Sequence, residues 1–522
     1  MTTAPRDPRA VRFPATPGAA NCAGTRSVVV VGGGIAGVAA AIGLAERGVR
    51  VRLVEPEAQL GGRVRAWPED GVGGPVTMSR GFHAFFRQYY NLRALLRRIG
   101  PLEDLLRPVT DYPVVGANGD RDTFVGIPRT PPWNFMTFVA KSPTFRARDL
   151  VRVDLDTALS LLDVSFPRTY RELNGESAEA FLDRLAFPER ARHLALEVFA
   201  RSFFAHPTEF SAGELVAMFH SYFLGSAEGL LFDVPRDDFE TTLWHPMRER
   251  LVELGAEVVH GIVTSVERRT SDDDPAEPGW TVRLADDRTV DADAVVLAAG
   301  PAASADIVAA SDGLDDGWRR RVAAGRIAPA FAVLRIWTDR PVRAERPAFL
   351  GTTGYGPLDN VSVLERFEDG AAEWARRNGG SVVELHAYAL DDGADPAALR
   401  ERLLVELARV YPETRAMGIR HERLLIERDC PLPGLGDWDA RPEVRTPEPG
   451  LKLAGDWLRS ELPIALMERA ATSGWQAANQ LLEQWGLAGH ELWSVPIASR
   501  QRWPRRVRRL LRDVRRRRRG IL

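Results

Sequence analysis

Three glycines near the start of the chain have the types and spacing needed to hold a pyrophosphate. Gly32, Gly34 and Gly37 follow the β-branched run 28–31 and open a segment of helical composition. In such a turn the first glycine permits the tight bend, the second lets a pyrophosphate approach the backbone, and the third lets helix and strand pack closely. The spacing predicts a dinucleotide-binding unit, with a glycine-rich turn of an ordinary α/β unit as the alternative.

The residues that follow complete this unit. Ile35 and Ala36 lie in the first turn of the predicted helix, where free backbone N–H groups and the positive helix end attract phosphate. The second strand, 49–54, ends at Glu55, whose carboxylate can accept hydrogen bonds from both ribose hydroxyls. Strand, helix, second strand and acid in this order strengthen the prediction of dinucleotide binding.

A Gly-Gly-Arg element at 61–63 follows Glu55 almost at once. With this element the N-terminal segment resembles the flavin amine oxidase and carotenoid desaturase family, in which the arginine contacts the pyrophosphate of FAD. The resemblance implies FAD as the cofactor and Gly62 and Arg63 among its binding residues. One more surface arginine in an arginine-rich chain is the alternative.

The far end of the chain carries a second part of the same resemblance. The strand 451–456 ends in Gly455 and Asp456, and a helix follows from about residue 465 to 484. In the family the aspartate holds the ribityl chain, and the helix start, here at Met467, faces the pyrimidine end of the isoalloxazine. A helix N-terminus stabilises negative charge on reduced flavin. Arg469 stands where the family has glycine, which places a bulky cation near the expected flavin.

Three shorter segments resemble further FAD contacts of the family. The strand before Val263 resembles the one whose backbone meets the adenine, and the strand ending at Gly300 resembles a second contact strand. The element 80–92 resembles one of carotenoid desaturases, which implies that Gly81 and Phe82 contact FAD and that His83 lies near the isoalloxazine.

Four longer segments resemble the bacterial isorenieratene synthase family of carotene desaturase/methyltransferases: 78–92, 127–134, 199–215 and 224–235. This resemblance extends from about residue 27 to 490. It implies an FAD-dependent oxidoreductase that desaturates the β-ionone rings of β-carotene, with an intramolecular 1,2-methyl shift, to give aromatic φ-rings. The sequence does not assign the electron acceptor that reoxidises the flavin.

Such chemistry needs a base, and the resemblance places two candidates near the isoalloxazine. These are His83 and Glu468; a structural hydrogen-bonding histidine and a helix-start carboxylate are the respective alternatives. Other functions stay open: another carotene desaturase, a flavin amine oxidase, or a flavin-fold binding protein for isoprenoid groups. Intact Glu55, Arg63 and Asp456 argue against the last.

Composition sets the remaining bounds. The net charge of −2 over 522 residues gives no global field that would favour nucleic acid. Two cysteines, Cys22 and Cys430, exclude a disulfide framework and suit a reducing cytosol. We expect no metal site, because no Cys/His cluster has ligand spacing. Residues 1–26 are predicted to be a disordered leader.

The predicted architecture is of the α/β class, with a discontinuous Rossmann-type FAD-binding domain and an inserted α+β substrate-binding domain. The first comprises 27–100, 241–305 and 446–490; the second comprises 101–240 and 306–445. Within the second, strands are predicted at 331–337 and 381–388, and helices at 176–203 and 212–224. Ser211 and Glu214 form a predicted capping box for the last helix. Aromatic-rich segments at 133–139 and 199–232 are predicted to be either plain core or the lining of an apolar tunnel.

The tail, residues 491–522, is predicted to be a basic amphipathic segment. It carries twelve arginines and one acid between 500 and 519. Such a segment can lie on an anionic membrane surface, which predicts a cytoplasmic protein held peripherally at the inner face of the cell membrane. A solvated tail, or a segment docked on an acidic face of the protein, is the alternative.

Overall fold

The computed structural model describes residues 7–145, 152–188, 191–192, 203–269, 279–436, 438–499, 504 and 506–508. Its strands are β1 (Val11–Phe13), β2 (Ser27–Val31), β3 (Arg50–Glu55), β4 (Ala66–Gly71), β5 (Gly74–Ser79), β6 (Phe85–Phe86), β7 (Leu106–Pro108), β8 (Val114–Gly116), β9 (Arg121–Asp122), β10 (Phe232–Pro235), β11 (Glu257–His260), β12 (Val263–Arg269), β13 (Gly279–Leu284), β14 (Thr289–Ala292), β15 (Ala294–Leu297), β16 (Ala330–Thr338), β17 (Phe349–Thr353), β18 (Asn360–Val363), β19 (Val382–Leu390), β20 (Ile419–Glu427), β21 (Leu451–Leu453) and β22 (Leu492–Ser494).

The helices in the described part of the chain are α1 (Ile35–Ala45), α2 (Tyr90–Leu96), α3 (Leu102–Leu105), α4 (Trp133–Lys141), α5 (Leu155–Leu161), α6 (Arg168–Glu172), α7 (Ala178–Arg184), α8 (Ala212–Phe219), α9 (His245–Glu253), α10 (Pro301–Ala309), α11 (Asp316–Ala323), α12 (Asp369–Asn378), α13 (Pro396–Val410) and α14 (Leu466–Gln484).

A five-stranded parallel sheet organises the predicted cofactor region. Its order is β11-β3-β2-β15-β21, so strands that are far apart in sequence meet side by side. The β-branched run 28–31 is almost completely buried, as expected for a central parallel strand covered on both faces. Helices α1 and α14 pack closely, since a Cβ added at Gly474 would lie 2.1 Å from the carbonyl oxygen of Ala36. The small residues of α14 thus bring its start next to the glycine turn.

A mixed seven-stranded sheet organises the rest of the molecule. Its order is β20-β16-β19-β18-β17-β8-β9. The predicted strands 331–337 and 381–388 are confirmed as β16 and β19, which pair antiparallel. A separate hydrophobic core lies between this sheet and helices α7 and α8. The cofactor sheet and the mixed sheet therefore have distinct cores.

The predicted helices of this region need two corrections. Only Ala178–Arg184 is helical within 176–188, and residues 193–202 lie outside the described part of the chain. Helix α8 continues as a π-helical turn over His220–Leu224. The Ser211 hydroxyl accepts from the Gly213 N–H at 3.2 Å, but no capping box forms, because buried arginines draw the Glu214 carboxylate away from the helix end.

The prediction of a disordered leader is wrong for residues 7–26. Strand β1 pairs antiparallel with β22 near the other end of the chain. Asp7 is buried, and its carboxylate accepts the Ala227 N–H at 2.6 Å. The leader has few apolar residues, but backbone pairing with a strand far away in sequence orders it, which composition alone does not reveal.

The tail is only partly described. Residues 491–499 are ordered, and Arg508 donates hydrogen bonds at 3.2 Å to both Asp156 and Asp163. Most of the predicted basic segment lies outside the described residues. Across the described ranges, no helix combines the length and apolar character that crossing a membrane requires.

Candidate active site

The glycine turn is built by close backbone contacts. Gly32 has a φ of +102°, and a Cβ at Gly37 would lie 1.8 Å from the Gly32 carbonyl oxygen, so both positions require glycine. The Gly61 N–H donates to the Gly33 carbonyl at 2.8 Å, which holds the Gly-Gly-Arg element against the turn. Gly34 faces open space toward Gly62, and this is where a pyrophosphate can approach the backbone.

Glu55 is fixed beside this turn. Its carboxylate accepts the Gly33 N–H at 2.6 Å and the Glu57 N–H at 3.0 Å. Burial raises the pKa of Glu55, and the two amides oppose that shift. The residue also lines the cavity described below, so a ribose there can meet its carboxylate.

Arg63 and Asp456 form an ion pair across the two cofactor segments. Arg63 Nη2 lies 2.5 Å from Asp456 Oδ1, and both side chains line the cavity. The neighbouring Gly455 N–H donates to the Ser473 hydroxyl of α14 at 2.8 Å. These contacts bring residues nearly four hundred positions apart to one place, with a guanidinium and a carboxylate facing the cavity.

The start of α14 places Met467 at the cavity and Glu468 away from it. Leu466 and Met467 line the cavity, whereas the Glu468 carboxylate accepts the backbone N–H groups of Asn91 and Leu92 at 2.9 Å each. Burial raises the pKa of Glu468 to about 8. Glu468 therefore holds the first turn of α2, and the structure does not bring this predicted base to the cavity.

Arg469 also points away from the cavity. It is buried and donates to both Glu214 oxygens, at 2.6 and 3.2 Å, and to the Ile464 carbonyl. Arg441 donates to the same carboxylate at 2.7 Å. Arg469, which replaces the glycine of the family motif, is thus neutralised by the Glu214 carboxylate of helix α8.

The remaining predicted cofactor residues divide into two groups. Ile35, Ala36, Phe82 and Gly300 line the cavity. Gly37, Gly81 and Val263 do not line it. Gly37 serves the packing of the turn, and Gly81 packs against His386. Val263 is buried at the start of β12.

One continuous cavity of about 2880 Å³, partly open to solvent, runs from the glycine turn into the aromatic region. It joins the cofactor residues described above to residues of the other region, so a ligand held at the glycine turn and a second ligand beyond it would share one cavity. Beyond the glycine turn its walls are largely aromatic: Phe82, Phe86, Tyr89, Tyr112, Phe124, Phe204, Tyr222, Phe223, Phe232, Phe331, Phe349 and Tyr388. Of the two predicted aromatic segments, 199–232 contributes several of these residues, while 133–139 contributes none.

His83 lies at the cavity wall with its ring fixed. Its Nδ1 is 2.8 Å from the Gly81 carbonyl oxygen, which can only accept, so Nδ1 carries the proton. Burial lowers the pKa of His83 to about 4. The imidazole is therefore neutral near pH 7, and its Nε2 lone pair is available to accept a proton.

A polar part of the wall was not predicted from the sequence. His386, Asn360 and Tyr388 line the cavity near His83, backed by the buried Glu384. The only signal was the alternation of Glu, His and Tyr within the predicted strand 381–388. Alternate residues of a strand share one face, but the sequence does not show which face meets a cavity.

The assembled residues fit FAD. The open backbone at Gly34 and the Arg63 guanidinium can receive a pyrophosphate, Glu55 a ribose, and the Asp456 carboxylate a polyol chain. The start of α14 can face a flavin ring, because Met467 reaches the same cavity.

Comparison with known proteins agrees with this geometry. Residues 35–482 match the flavin containing amine oxidoreductase family. The chain therefore belongs to that family, and it is an FAD-dependent oxidoreductase with the predicted α/β fold. Among solved structures, cyclohexylamine oxidase from Brevibacterium oxydans is similar in fold, with a TM-score of 0.64 and 16% identity over 88% of this chain and 99% of that one.

Two relatives carry a more particular name. The chain is 54% identical over 505 residues to carotenoid phi-ring synthase of Streptomyces griseus, covering 96% of each chain. It is 26% identical to carotenoid phi-ring synthase of Chlorobaculum tepidum, over 90% of this chain and 91% of the relative. The predicted resemblance to the carotene desaturase/methyltransferase family is thereby confirmed.

Proposed function

We propose that this protein converts the β-ionone end groups of β-carotene into aromatic φ-rings. The observation that carries the proposal is the continuous cavity, which joins a cofactor cradle to a long aromatic pocket. Its largely aromatic walls suit a rigid apolar polyene. The identity of 54% with a carotenoid phi-ring synthase supports the same substrate class.

The aromatic walls position the substrate and exclude water. Ring pairs such as Phe82 with Phe349 and Phe86 with Tyr222, with centroids 4.4 and 4.6 Å apart, form a preformed wall. A carbocation that develops in the ring is shielded from water there and meets the electron-rich faces of aromatic rings. Bound FAD supplies the two-electron acceptor for hydride removal.

His83 is the base that the geometry favours over Glu468. Its neutral imidazole lines the cavity, and the hydrogen bond to Gly81 directs which nitrogen is basic. Glu468 already accepts two backbone N–H groups outside the cavity. We assign proton removal from the substrate ring to His83 Nε2 and a structural role to Glu468.

A membrane surface is the proposed source of the substrate. The arginines 515–519 can bind an anionic inner leaflet, whereas Arg508 is paired with Asp156 and Asp163. Trp133 and Met136 are one turn apart on α4 and mostly exposed, while Phe138 on the same helix stacks on the cavity residue Phe124. Peripheral binding at this side would bring the pocket close to the lipid phase.

Pigment analysis tests the proposed function. Cells that make β-carotene are grown with and without the protein. Their carotenoids are separated by chromatography, and the masses are measured by mass spectrometry. We expect a product that has lost four hydrogens for each converted ring and has kept every carbon. Unchanged β-carotene beside an FAD-loaded protein would refute the proposal, and acyclic carotenes and then amines would be tested in its place.

A further inference from the structure

A polar chain runs along strand β19 to the cavity wall. Glu384, His386 and Tyr388 alternate along the strand and share one face. His386 and Tyr388 line the cavity, while Glu384 is fully buried behind them. Such a row of ionisable groups in a largely aromatic wall is costly to bury unless its polar atoms are hydrogen-bonded.

The short hydrogen bonds of this chain have one consistent direction, since the Phe82 N–H, 3.3 Å from His386 Nε2, donates to the nearer Glu384 oxygen at 2.8 Å. His386 Nε2 lies 2.8 Å from Glu384 Oε1, and His386 Nδ1 lies 2.7 Å from the Tyr388 hydroxyl. An ionised carboxylate only accepts, so Nε2 carries the proton and Nδ1 is the acceptor. The Tyr388 hydroxyl therefore donates to His386, which donates to Glu384.

Arg335 keeps the carboxylate ionised. Its Nη2 and Nε lie 2.6 and 3.0 Å from Glu384 Oε2, and the Phe82 N–H donates to the other oxygen at 2.8 Å. Burial alone would raise the pKa of Glu384, but Arg335 and then His386 lower it to about 2. The carboxylate is thus a fixed negative charge behind the imidazole, as in a catalytic triad.

The middle of the chain, His386, lies beside the segment that carries His83. A Cβ at Gly81 would lie 2.6 Å from the His386 ring, and the Gly81 carbonyl holds the His83 ring from the other side. Asn360 Nδ2 donates to the Tyr388 oxygen at 3.0 Å, which orients the phenol. His83 Nε2 and the Tyr388 oxygen are therefore two proton-accepting groups that line the same cavity.

We propose that Tyr388, His386 and Glu384 form a proton relay that serves the aromatisation reaction. The proposal rests on the proposed function, in which each ring loses two hydrides and two protons in two oxidations; bound FAD would accept one hydride in each and would be reoxidised in between by oxygen or a quinone. One proton passes to the Tyr388 oxygen while its C–H electrons form a ring double bond. The hydroxyl proton moves to His386 Nδ1, and Glu384 stabilises the imidazolium. His83 accepts the other proton.

Steady-state kinetics on three variants of the FAD-loaded protein tests the relay, with β-carotene in detergent micelles. Tyr388→Phe removes only the hydroxyl. His386→Gln keeps an N–H donor toward Glu384 but replaces the basic ring nitrogen with an amide that cannot take up a proton, and the third variant combines both changes. Tyr411→Phe is the matched control, because its buried hydroxyl has no hydrogen-bond partner within the described ranges and lies outside the cavity. Flavin content checks folding.

A relay predicts a loss in kcat without a loss in binding. Since general bases contribute about 10²- to 10⁴-fold, we expect Tyr388→Phe to lower kcat at least about tenfold and to change KM less than about twofold. Because relay members act as a unit, the double variant is expected to be no slower than the slower single variant. The control is expected to keep the wild-type kcat.

Two outcomes overturn the relay alone: a wild-type kcat in Tyr388→Phe, or single effects that multiply in the double variant. A wild-type protein that leaves β-carotene unchanged refutes the proposed function, and the relay falls with it.

Discussion

The buried cluster around Glu214 makes a quantitative prediction about how the two regions are held together. Glu214 belongs to α8, while its partners Arg469 and Arg441 belong to α14 and to the segment before β21. All three side chains are almost completely buried. Glu214→Gln keeps the shape of the side chain but removes the negative charge that both guanidinium groups contact.

The structure sets the size of the effect. Breaking a buried ion pair by removing one partner costs about 3–5 kcal/mol. The substituted amide would still offer one carbonyl oxygen to an arginine, so we expect the lower end, about 3 kcal/mol, which is roughly a hundredfold change in the unfolding equilibrium. Glu172→Gln is the control. Its partner Arg168 lies 3.4 Å away at the surface, and such pairs are worth at most about 1 kcal/mol.

The free energies of unfolding of the wild type and both variants are measured by urea unfolding of the FAD-loaded proteins. Unfolding is followed by circular dichroism, with the same excess of FAD in every sample. The shift in midpoint multiplied by the slope gives the change in the free energy of unfolding. Burial alone would raise the pKa of Glu214, but Arg469 and Arg441 lower it. Its contribution is therefore present above the usual pKa of 4.5 and is lost as the pH falls below it. A loss no larger than that of Glu172→Gln at neutral pH would refute the reasoning.

Three further predictions concern the base, the cofactor turn and the tail. His83→Gln is expected to lower kcat by about 10²-fold or more while the flavin content stays normal. The wild-type rate is expected to stay flat from about pH 5.5 to 8, because burial lowers the pKa of His83 to about 4. A rate that already falls near pH 6.5 would contradict this. Gly37→Ala places a Cβ 1.8 Å from the Gly32 carbonyl oxygen, so the purified variant is expected to lack flavin absorbance. Gly175→Ala is the control and is expected to keep the absorbance, because nothing lies within 4 Å of its Cβ. Equal flavin content in the two variants would show that the turn tolerates the methyl group. Replacing the five arginines 515–519 by glutamine is expected to lower the affinity for phosphatidylglycerol vesicles, measured by co-sedimentation, at least about tenfold, since each arginine near the surface contributes about 1 kcal/mol. Phosphatidylcholine vesicles are the control and are expected to bind neither protein. An unchanged affinity would remove the tail from the proposal.

Local sequence was sufficient for the cofactor turn. The glycines, Glu55 and the Gly-Gly-Arg element follow each other within about thirty residues, and each has a backbone or charge requirement that few other residues meet. Strands β16 and β19 were also predictable, because alternating and β-branched patterns are properties of the segment itself. Family resemblance added the cofactor and the substrate class.

The direction of individual side chains was not predictable. Glu468 and Arg469 are neighbours at a helix start that the motif places beside the flavin, yet Glu468 binds the α2 backbone and Arg469 binds Glu214. The local sequence does not indicate either partner, because both lie hundreds of residues away. The cost of burying an unpaired charge selects these contacts only after the helices have packed.

The sequence by itself determined the βαβ unit, the FAD cradle and the aromatic character of the other region. Only the tertiary structure decided that β1 is ordered by β22 and that His83 rather than Glu468 reaches the cavity. It also decided that His386, hydrogen-bonded to Glu384 and Tyr388, packs against Gly81 at the cavity wall. Turns and strands arise from interactions among neighbouring residues, whereas a cavity wall is formed by segments that meet only when the sheets and helices pack.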